Sequence, residues 1–544
     1  MGWLGIDVGT TNTKVTLGDR TLTCPTPNDP ALLVSRVLGL ISEITEPPPR
    51  EWTRAGGSTR GGGADASTRG GSAEASVRGE GGEGATCGGR GGAGARGAGE
   101  ARPGVVIEGV GIAGMAETGA AFDADGRAVT PLISWRDQPG VEQVQELAEQ
   151  VGAAEFFART GLRLSAKLPI VTWRWLGARM NGARWMGAAD LILYALTGTY
   201  ATHLTHAQRL GVLDLRSKTW HAELLEFAKI RPDQLPVIAD PMTVTGRVRP
   251  GVAGLREGTP VVLAGHDHLV AAWAAGVRQP GQVADSMGTS EAIVTPSAEP
   301  VVDERLRRQG ISSGWYVDGR HGCAISGHGA AGGLVAERLA SFSKGKEYDW
   351  LAWALQDDLP GELVAPYPAG RQAPEPDPRS RYDATRPVVD EEVEIRALID
   401  GLAMHARWMA ETQTALLGID WRETVAFGGP TAIDGWMRRK ALASAPRPFF
   451  VATTTAAAGA ALIAAELAGA ELRRPEPRAA EERRAEPPGA ERSTHPRVRV
   501  PVDPAVAAHW DGGHWHRFHR LATEPPAPTE LPPAEPPHRT TGTD

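Results

Sequence analysis

Val262-Leu-Ala-Gly-His-Asp-His-Leu269, with Ser286-Met-Gly-Thr-Ser-Glu291 close behind it, is the stretch from which the rest of the chain is read. An apolar run ends at Gly265, a carboxylate stands at Asp267, and a helix-like run from Leu269 to Ala275 follows. That order predicts a strand that turns at the glycine, exposes Asp267 and re-enters a helix, a position suited to a general base. Gly288-Thr289-Ser290 offers backbone N–H groups and hydroxyls to an anion, so the two segments together suggest proton abstraction beside a phosphate. Taken singly, each is only a turn.

A third segment, at the start of the chain, changes that reading. Trp3-Leu-Gly-Ile-Asp7 is a short apolar run ending in a carboxylate; Val8-Gly-Thr-Thr-Asn-Thr-Lys14 and the β-branched run Val15-Thr-Leu17 follow. Strand, polar turn, strand is the simplest account. Gly9 permits a positive φ, while Thr10, Thr11 and Thr13 bring hydroxyls, Asn12 an amide and Lys14 a cation, a set suited to phosphate oxygens. Asp7 stands where it could hold Mg²⁺ or its water shell. The plainer alternative is a polar hairpin tip.

With 544 residues, 41% of them hydrophobic, the chain has material for two large cores. The formal charge of −8 argues against a general nucleic-acid binder, and no apolar run reaches transmembrane length. Met1 leads straight into a strand pattern, so no signal peptide is evident. Cys24, Cys87 and Cys323 are scattered and odd in number, which points to a reduced, cytoplasmic protein.

Asp29-Pro30 followed by Leu33, Val37, Ile41 and Ile44 predicts a capped amphipathic helix ending at Pro47-Pro-Pro49. From Glu51 to Gly104 the composition falls to Gly, Arg, Ala, Ser and Glu, with Ser58-Thr-Arg-Gly, Ser67-Thr-Arg-Gly and Ser76-Val-Arg-Gly recurring every nine residues. Such a segment cannot offset its ordering entropy by burial and reads as a disordered insertion. Order resumes at Val105–Ile112, and helices are expected at Val141–Val151, Ala153–Arg159 and Ala189–Leu196, the last closed by Gly198. His203 and His206 read as residues of an exposed loop rather than as metal ligands. Further on, Ala324-Ile-Ser-Gly-His-Gly-Ala-Ala-Gly-Gly333 has small residues that would let backbone approach a nucleotide base. Glu391–Leu417 has long helical periodicity, and Val425-Ala-Phe-Gly-Gly429 reads as a strand running into a glycine turn before a helix. Residues 473–544 are rich in Pro, Glu, Arg and Ala and are expected to be mostly disordered, although Val498 to His519 carries aromatic side chains able to dock.

DVGTTNTK at Asp7 to Lys14, GHDH at Gly265 to His268 and FGGPTAIDGWMRR at Phe427 to Arg439 resemble, in order and separation, the phosphate, catalytic-aspartate and adenosine motifs of the FGGY carbohydrate kinases. The resemblance implies an α/β fold of two ribonuclease H-like domains of the actin and hexokinase superfamily, with the active site in the interdomain cleft. It divides the chain into a sugar-binding domain over 1–243, interrupted by the insertion at 51–104, a nucleotide-binding domain over 244–472, and the tail 473–544. It implies ATP-dependent phosphorylation of a small sugar or polyol, a xylulose-like ketose first among them, with Asp267 as general base. ATP and Mg²⁺ would be held by Asp7, Gly9, Thr10, Thr11, Asn12, Thr13, Lys14, Gly288, Thr289, Ser290, Gly332, Gly428 and Gly429, with Asp7 toward the metal. Met115, Glu117, Trp135, Arg136, Asp137, His266 and Asp267 become the substrate contacts, an aromatic face for the apolar side of a polyol and charged groups for its hydroxyls. A homodimer is allowed for; nucleic acid and membrane are not expected partners.

Met115-Ala-Glu-Thr118 departs from the Gln-Met-His-Gly of a xylulokinase, and Thr202-His-Leu-Thr-His-Ala-Gln208 from the family's Asp-x-Ser-x-Ala-Ser. These departures leave the sugar open and motivate a competing reading, a sensor or scaffold that binds nucleotide and sugar without transferring phosphate. Retention of Asp7, Lys14 and Asp267 weighs for catalysis. A chaperone-like ATPase would need a peptide-binding domain that is not recognisable in the sequence.

Overall fold

The computed structural model describes residues 2–46, 105–329, 331–342, 348–384, 390–472 and 496–524. The expected insertion at 51–104 and Cys87 lie outside the described residues.

Leu4, Ile6 and Val8 alternate with Gly5 and Asp7 along the strand Gly2–Val8, so the two sets face opposite sides of a sheet. On one side the buried leucine, isoleucine and valine meet Leu33, Val37 and Ile41 of the helix Pro30–Thr45. Asp29 caps that helix by accepting from Leu32 N at 2.7 Å, and Pro30 opens it. On the other side the alanine-rich helix Ala456–Leu472 lies directly on the strands, because Gly5 and Gly111 have no side chain: a Cβ at either would run into the carbonyl of Ala457 or Ala460.

The strand Gly2–Val8 sits between Asn12–Leu17, antiparallel, and Ile107–Gly114, parallel, in a six-stranded sheet completed by Arg20–Pro25 at one edge and Pro260–His266 and Gly246–Arg247 at the other. A second, seven-stranded sheet runs Ser312–Trp315, Gly322–His328, Glu291–Ser297, Gln282–Met287, Glu423–Gly428, Phe449–Ala452, Arg497–Arg499. Its inner strand Gln282–Met287 again has an antiparallel hairpin partner on one side and a parallel neighbour on the other. The two halves thus repeat one plan, each with a carboxylate-bearing or glycine turn at the ends of its inner strands. Between the sheets lie two helices, Asp267–Ala274 and Ala456–Leu472, close enough that a Cβ at Gly459 would stand 2.9 Å from Val270 O.

The boundary expected at 243/244 falls too early. Gly246–Arg247 and Pro260–His266 belong to the first sheet, and the second begins at Gln282. The apolar run Val261–Ala264 is buried on both faces, Val261 and Leu263 in the core of the first sheet, Val262 and Ala264 in the core that the helices between the sheets share with the second. We therefore place the change of domain between residues 275 and 281.

The long helix Glu391–Leu417 forms as its periodicity requires, capped by Asp390 and closed by Gly418 at φ +65°, with Ile395, Leu398, Leu402, Met404 and Trp408 buried. Arg439, at the end of the FGGPTAIDGWMRR segment, is fully buried and paired with Asp400. Within the tail, residues 496–524 are ordered. Arg497–Arg499 adds the edge strand beside Phe449–Ala452, and Trp510 and Phe518 are buried against the second domain, where Arg371 donates to Ala522 O. Among the described residues no helix is long and apolar enough to cross a membrane.

Candidate active site

Asp267 is the first residue of the helix Asp267–Ala274, directly after the strand Pro260–His266. Gly265 makes the turn at φ +116°, a conformation that side chains resist, and a Cβ there would meet Thr205 Oγ1 and His203. The helix N-terminus favours the carboxylate, which accepts from His268 N at 2.7 Å and has His266 Nε2 at 3.4 Å. Burial raises the proton affinity of Asp267, but the His268 and His266 imidazoles and the His268 N–H outweigh it and hold its carboxyl below the usual range. It is an ionised carboxylate in a sheltered place.

Asp7 stands beside it. Burial, then the charge of Asp267, push the Asp7 carboxyl up to about 7 against the pull of Lys14, its partner across the Asp7–Lys14 hairpin register. Asp7 Oδ1 is buried without a hydrogen-bond partner. A buried, unpartnered carboxylate oxygen with a raised affinity for positive charge fits a divalent cation. Among the described residues no three or more His, Cys, Asp or Glu gather as a metal site; at Asp7 a hard cation would complete its shell with phosphate and water oxygens, the usual habit of Mg²⁺.

The sign of the pH dependence follows. Because the Asp7 pKa is raised on folding, its contribution to stability is fully present below 3.8 and is lost as pH rises through about 7. Asp7→Asn is therefore expected to raise the melting temperature of the ligand-free protein at alkaline pH, with the gain shrinking toward acid. Thermal unfolding across that pH range is the check, and equal melting temperatures at alkaline pH would contradict the strain assigned to Asp7.

A cleft of about 580 Å³ between the two sheets collects most of the expected residues: Asp7, Gly9, Thr10, Thr11, Asn12 and Lys14 from the hairpin, Met115, Glu117, Trp135 and Arg136 from the first domain, His266 and Asp267, and Thr289 and Ser290 from the second. Gly9 does not adopt a positive φ. Its lack of a side chain is used for space, since a Cβ would stand 2.7 Å from Asn12 O. Thr13 faces away, fully buried, with its hydroxyl 2.9 Å from that of Thr26, which donates to Gly9 O and so braces the loop from behind. Asp137 is exposed and accepts from Ser134 N at 2.7 Å, closing a turn outside the cleft lining. Gly288, Gly332, Gly428 and Gly429 are also outside the lining. Two of them nevertheless meet, Gly332 N donating to Gly288 O at 3.2 Å, and Gly428, at φ +109°, abuts Met287 O, one residue before Gly288. Beneath this turn Lys440 is buried between Asp285 and Glu291.

Residues 103–274 match the FGGY family of carbohydrate kinases, N-terminal domain, and the match ends where the helix bearing Asp267 ends. Over those residues the chain is similar to the FGGY carbohydrate kinases. It is 25% identical over 306 residues to a gluconokinase of Bacillus subtilis (strain 168), covering 52% of this chain and 59% of that one. It is 27% identical over 385 residues to a glycerol kinase of Paenarthrobacter aurescens (strain TC1), covering 66% and 75%. The crystal structure of a xylulose kinase from Rhodospirillum rubrum aligns with a TM-score of 0.71 over 96% of this chain and 98% of that one; at 22% identity the likeness speaks to the fold.

Several cleft contacts escaped the motif reading. Arg209 donates to Glu117 Oε1 through Nε at 2.9 Å and also through Nη2, and Lys167 Nζ lies 3.7 Å from the same oxygen. Glu117 holds φ +60°, a conformation costly for a non-glycine residue and found where the surroundings impose it. Trp135 Nε1 donates to Thr10 Oγ1 at 2.9 Å and ties the sugar-side loop to the hairpin.

His203 and His206, expected in an exposed loop, are buried. His203 Nδ1 accepts from Thr205 N and lies 2.8 Å from Thr205 Oγ1, which in turn accepts from His266 N at 2.9 Å. Burial pushes the His203 imidazole down to about 3, so it is neutral and its Nδ1 is an acceptor. The departure from the family's Asp-x-Ser is thus a chemical substitution in place: a neutral imidazole supplies the cap, and Thr205 fixes the backbone one residue before Asp267. No local signal in the sequence marks this, because the bonded groups are 61 positions apart.

Proposed function

We propose that this protein transfers the γ-phosphoryl group of ATP to a hydroxyl of a small polyhydroxylated acceptor, with Asp267 as general base. The observation that carries the reading is the convergence of the ionised Asp267, the unpartnered Asp7 and the Lys14 and Ser290 turns in one cleft between the two sheets. Lys14, the Thr10 and Thr11 hydroxyls and the backbone of the two turns bind phosphate oxygens and orient them. Asp267 takes the proton of the attacking hydroxyl. Asp7 would hold Mg²⁺, which when bound supplies charge neutralisation on the transferring phosphoryl group. Glu117, fixed by Arg209 and Lys167, and Trp135 with Arg136 over its ring at 5.2 Å form the acceptor side.

ADP release with ATP and Mg²⁺ across a panel of ketoses, alditols and aldonates tests the proposal. Xylulose-like ketoses, the acceptors suggested by the sequence resemblance, are one arm of that panel. Acceptor-dependent turnover is the expected result; nucleotide binding without turnover on any acceptor would favour the sensor reading.

Thr205→Val tests the brace behind the base. It removes the oxygen that accepts from His266 N and leaves a buried N–H unpaired, a cost of about 1–3 kcal/mol. Displacement of Asp267 is expected to lower acceptor-dependent kcat by roughly tenfold with nucleotide affinity retained. A lowered melting temperature with unchanged kcat would show that the bond serves stability alone.

A further inference from the structure

We infer that Gln208 is a positioning residue for the acceptor: it clamps the edge strand of the second domain and thereby sets the neighbouring Arg209 on Glu117. The inference rests on the kinase reading above for the role of Glu117, and on contacts between the two domains for its content.

Ser312–Trp315 is the outer strand of the second sheet and pairs on one side only, with Gly322–His328. Its other side carries the backbone groups that a sheet edge leaves unpaired, and the first domain takes them. Ser313 N donates to Gly161 O at 2.9 Å. Trp315 N donates to Gln208 Oε1 at 2.7 Å, and Gln208 Nε2 donates back to Trp315 O at 3.1 Å. One side-chain amide thus stands in for the peptide group of a further strand. Gly314 leaves the space for it, since a Cβ there would lie 2.6 Å from Gln208 Oε1. The Trp315 side chain is held by the same stretch of the first domain: its Nε1 donates to Leu215 O at 2.8 Å, and Lys218 Nζ lies 3.7 Å from its ring centre.

Gln208 and Arg209 are both buried and open the short turn Gln208–Leu210. Being adjacent, they serve different partners. Arg209 donates through Nε at 2.9 Å and also through Nη2 to Glu117 Oε1, the cleft carboxylate held at φ +60°. A backbone fixed at Gln208 by the second domain therefore delivers the guanidinium to Glu117, and such bonds weaken steeply when the donor is displaced or turned.

The test is a double-mutant cycle on the full chain with ATP and Mg²⁺, using whichever of glycerol, xylulose and gluconate turns over fastest in wild type. Gln208→Met keeps the side-chain volume and removes both amide contacts. It is expected to raise the acceptor KM by roughly tenfold, with the KM for ATP within about twofold of wild type. In the Glu117→Gln background the carboxylate that Arg209 serves is gone, and the same substitution is expected to change the acceptor KM by less than about twofold. Gly314→Ala, which presses on the amide from the second domain, is expected to reproduce the Gln208→Met result and carries the cycle if Gln208→Met does not fold. The turn also rests on its own domain through Leu210. Equal-fold KM increases in the two backgrounds, or a lowered melting temperature with an unchanged acceptor KM, would therefore overturn the inference and leave Gln208 a role in stability alone. Calorimetric titration of the same three acceptors, with a non-transferable ATP analogue present, separates this from the kinase reading. Acceptor binding weakened by Gln208→Met in wild type and not in Glu117→Gln, without turnover of any acceptor, would remove the kinase reading and keep the positioning role. No binding of any of the three to wild type would remove the acceptor side at Glu117 and the inference with it.

Discussion

Asp267→Asn is expected to reduce acceptor-dependent ADP release by roughly a hundredfold to ten-thousandfold, with affinity for ATP retained. The substitution keeps size and shape, and an amide oxygen still accepts from His268 N, so the turn at Gly265 and the helix that follows have no reason to move. What is lost is the ability to take a proton. The His266 imidazole beside it is a poor substitute, since burial holds its proton affinity well below the ordinary value. Asp7 stands nearby, but its raised pKa marks a group whose charge is unwelcome unless a cation shares it. Steady-state ADP release beside equilibrium ATP binding measures both halves. Turnover within a few-fold of wild type would remove Asp267 from the role of base, and joint loss of turnover and ATP binding would show that the variant disturbs the cleft itself.

Trp510→Ala is expected to destabilise the second domain by about 3–5 kcal/mol, the usual cost of deleting a large buried aromatic side chain. Trp510 is wholly buried, donates through Nε1 to Asp358 O at 3.0 Å, and lies against His514 and the Arg439 guanidinium, 5.9 Å from its ring centre. Its removal opens a cavity over the fully buried Arg439–Asp400 pair, where a charge admitted to water on one side loses the geometry that compensates its burial. Arg439 is carried by the helix Asp434–Ser444, which follows the Gly428–Gly429 turn, so the damage reaches the side of the cleft assigned to nucleotide. A fall in melting temperature of roughly 6–20 °C is the corresponding readout for a domain of this size. Trp353→Ala, at a tryptophan 52% exposed, is the control; an equal shift in the two variants would contradict a structural role for the C-terminal segment.

The parts of the site that were legible in the sequence are those whose chemistry is contiguous. Asp7 to Lys14 and Gly265 to Asp267 are turns in which a carboxylate, a glycine and a cation or helix start follow one another, and the fold keeps them adjacent because they never separate. Glu117 with Arg209 could not be read in this way. The two are 92 positions apart, and only the docking of the Gln208–Leu210 turn beside the end of the strand Ile107–Gly114 brings them together. His203 and His206 were misjudged for a related reason. Polar residues at short spacing look solvated, and nothing local records that they lie under the strand carrying Gly265.

The domain boundary failed on a two-residue edge strand, Gly246–Arg247, too short to carry any periodicity. The C-terminal aromatics drew notice only as side chains able to dock. Their partner surface, Trp408, Arg371 and Arg439, is supplied by distant parts of the chain.

The most direct measurement is the fate of the γ-phosphoryl group of labelled ATP, followed in wild type and Asp267→Asn in parallel with each acceptor. Label appearing on the acceptor in wild type, and not in the variant, is the result this account expects. Label released only as inorganic phosphate whatever the acceptor, or carried to the acceptor equally well by Asp267→Asn, would contradict it.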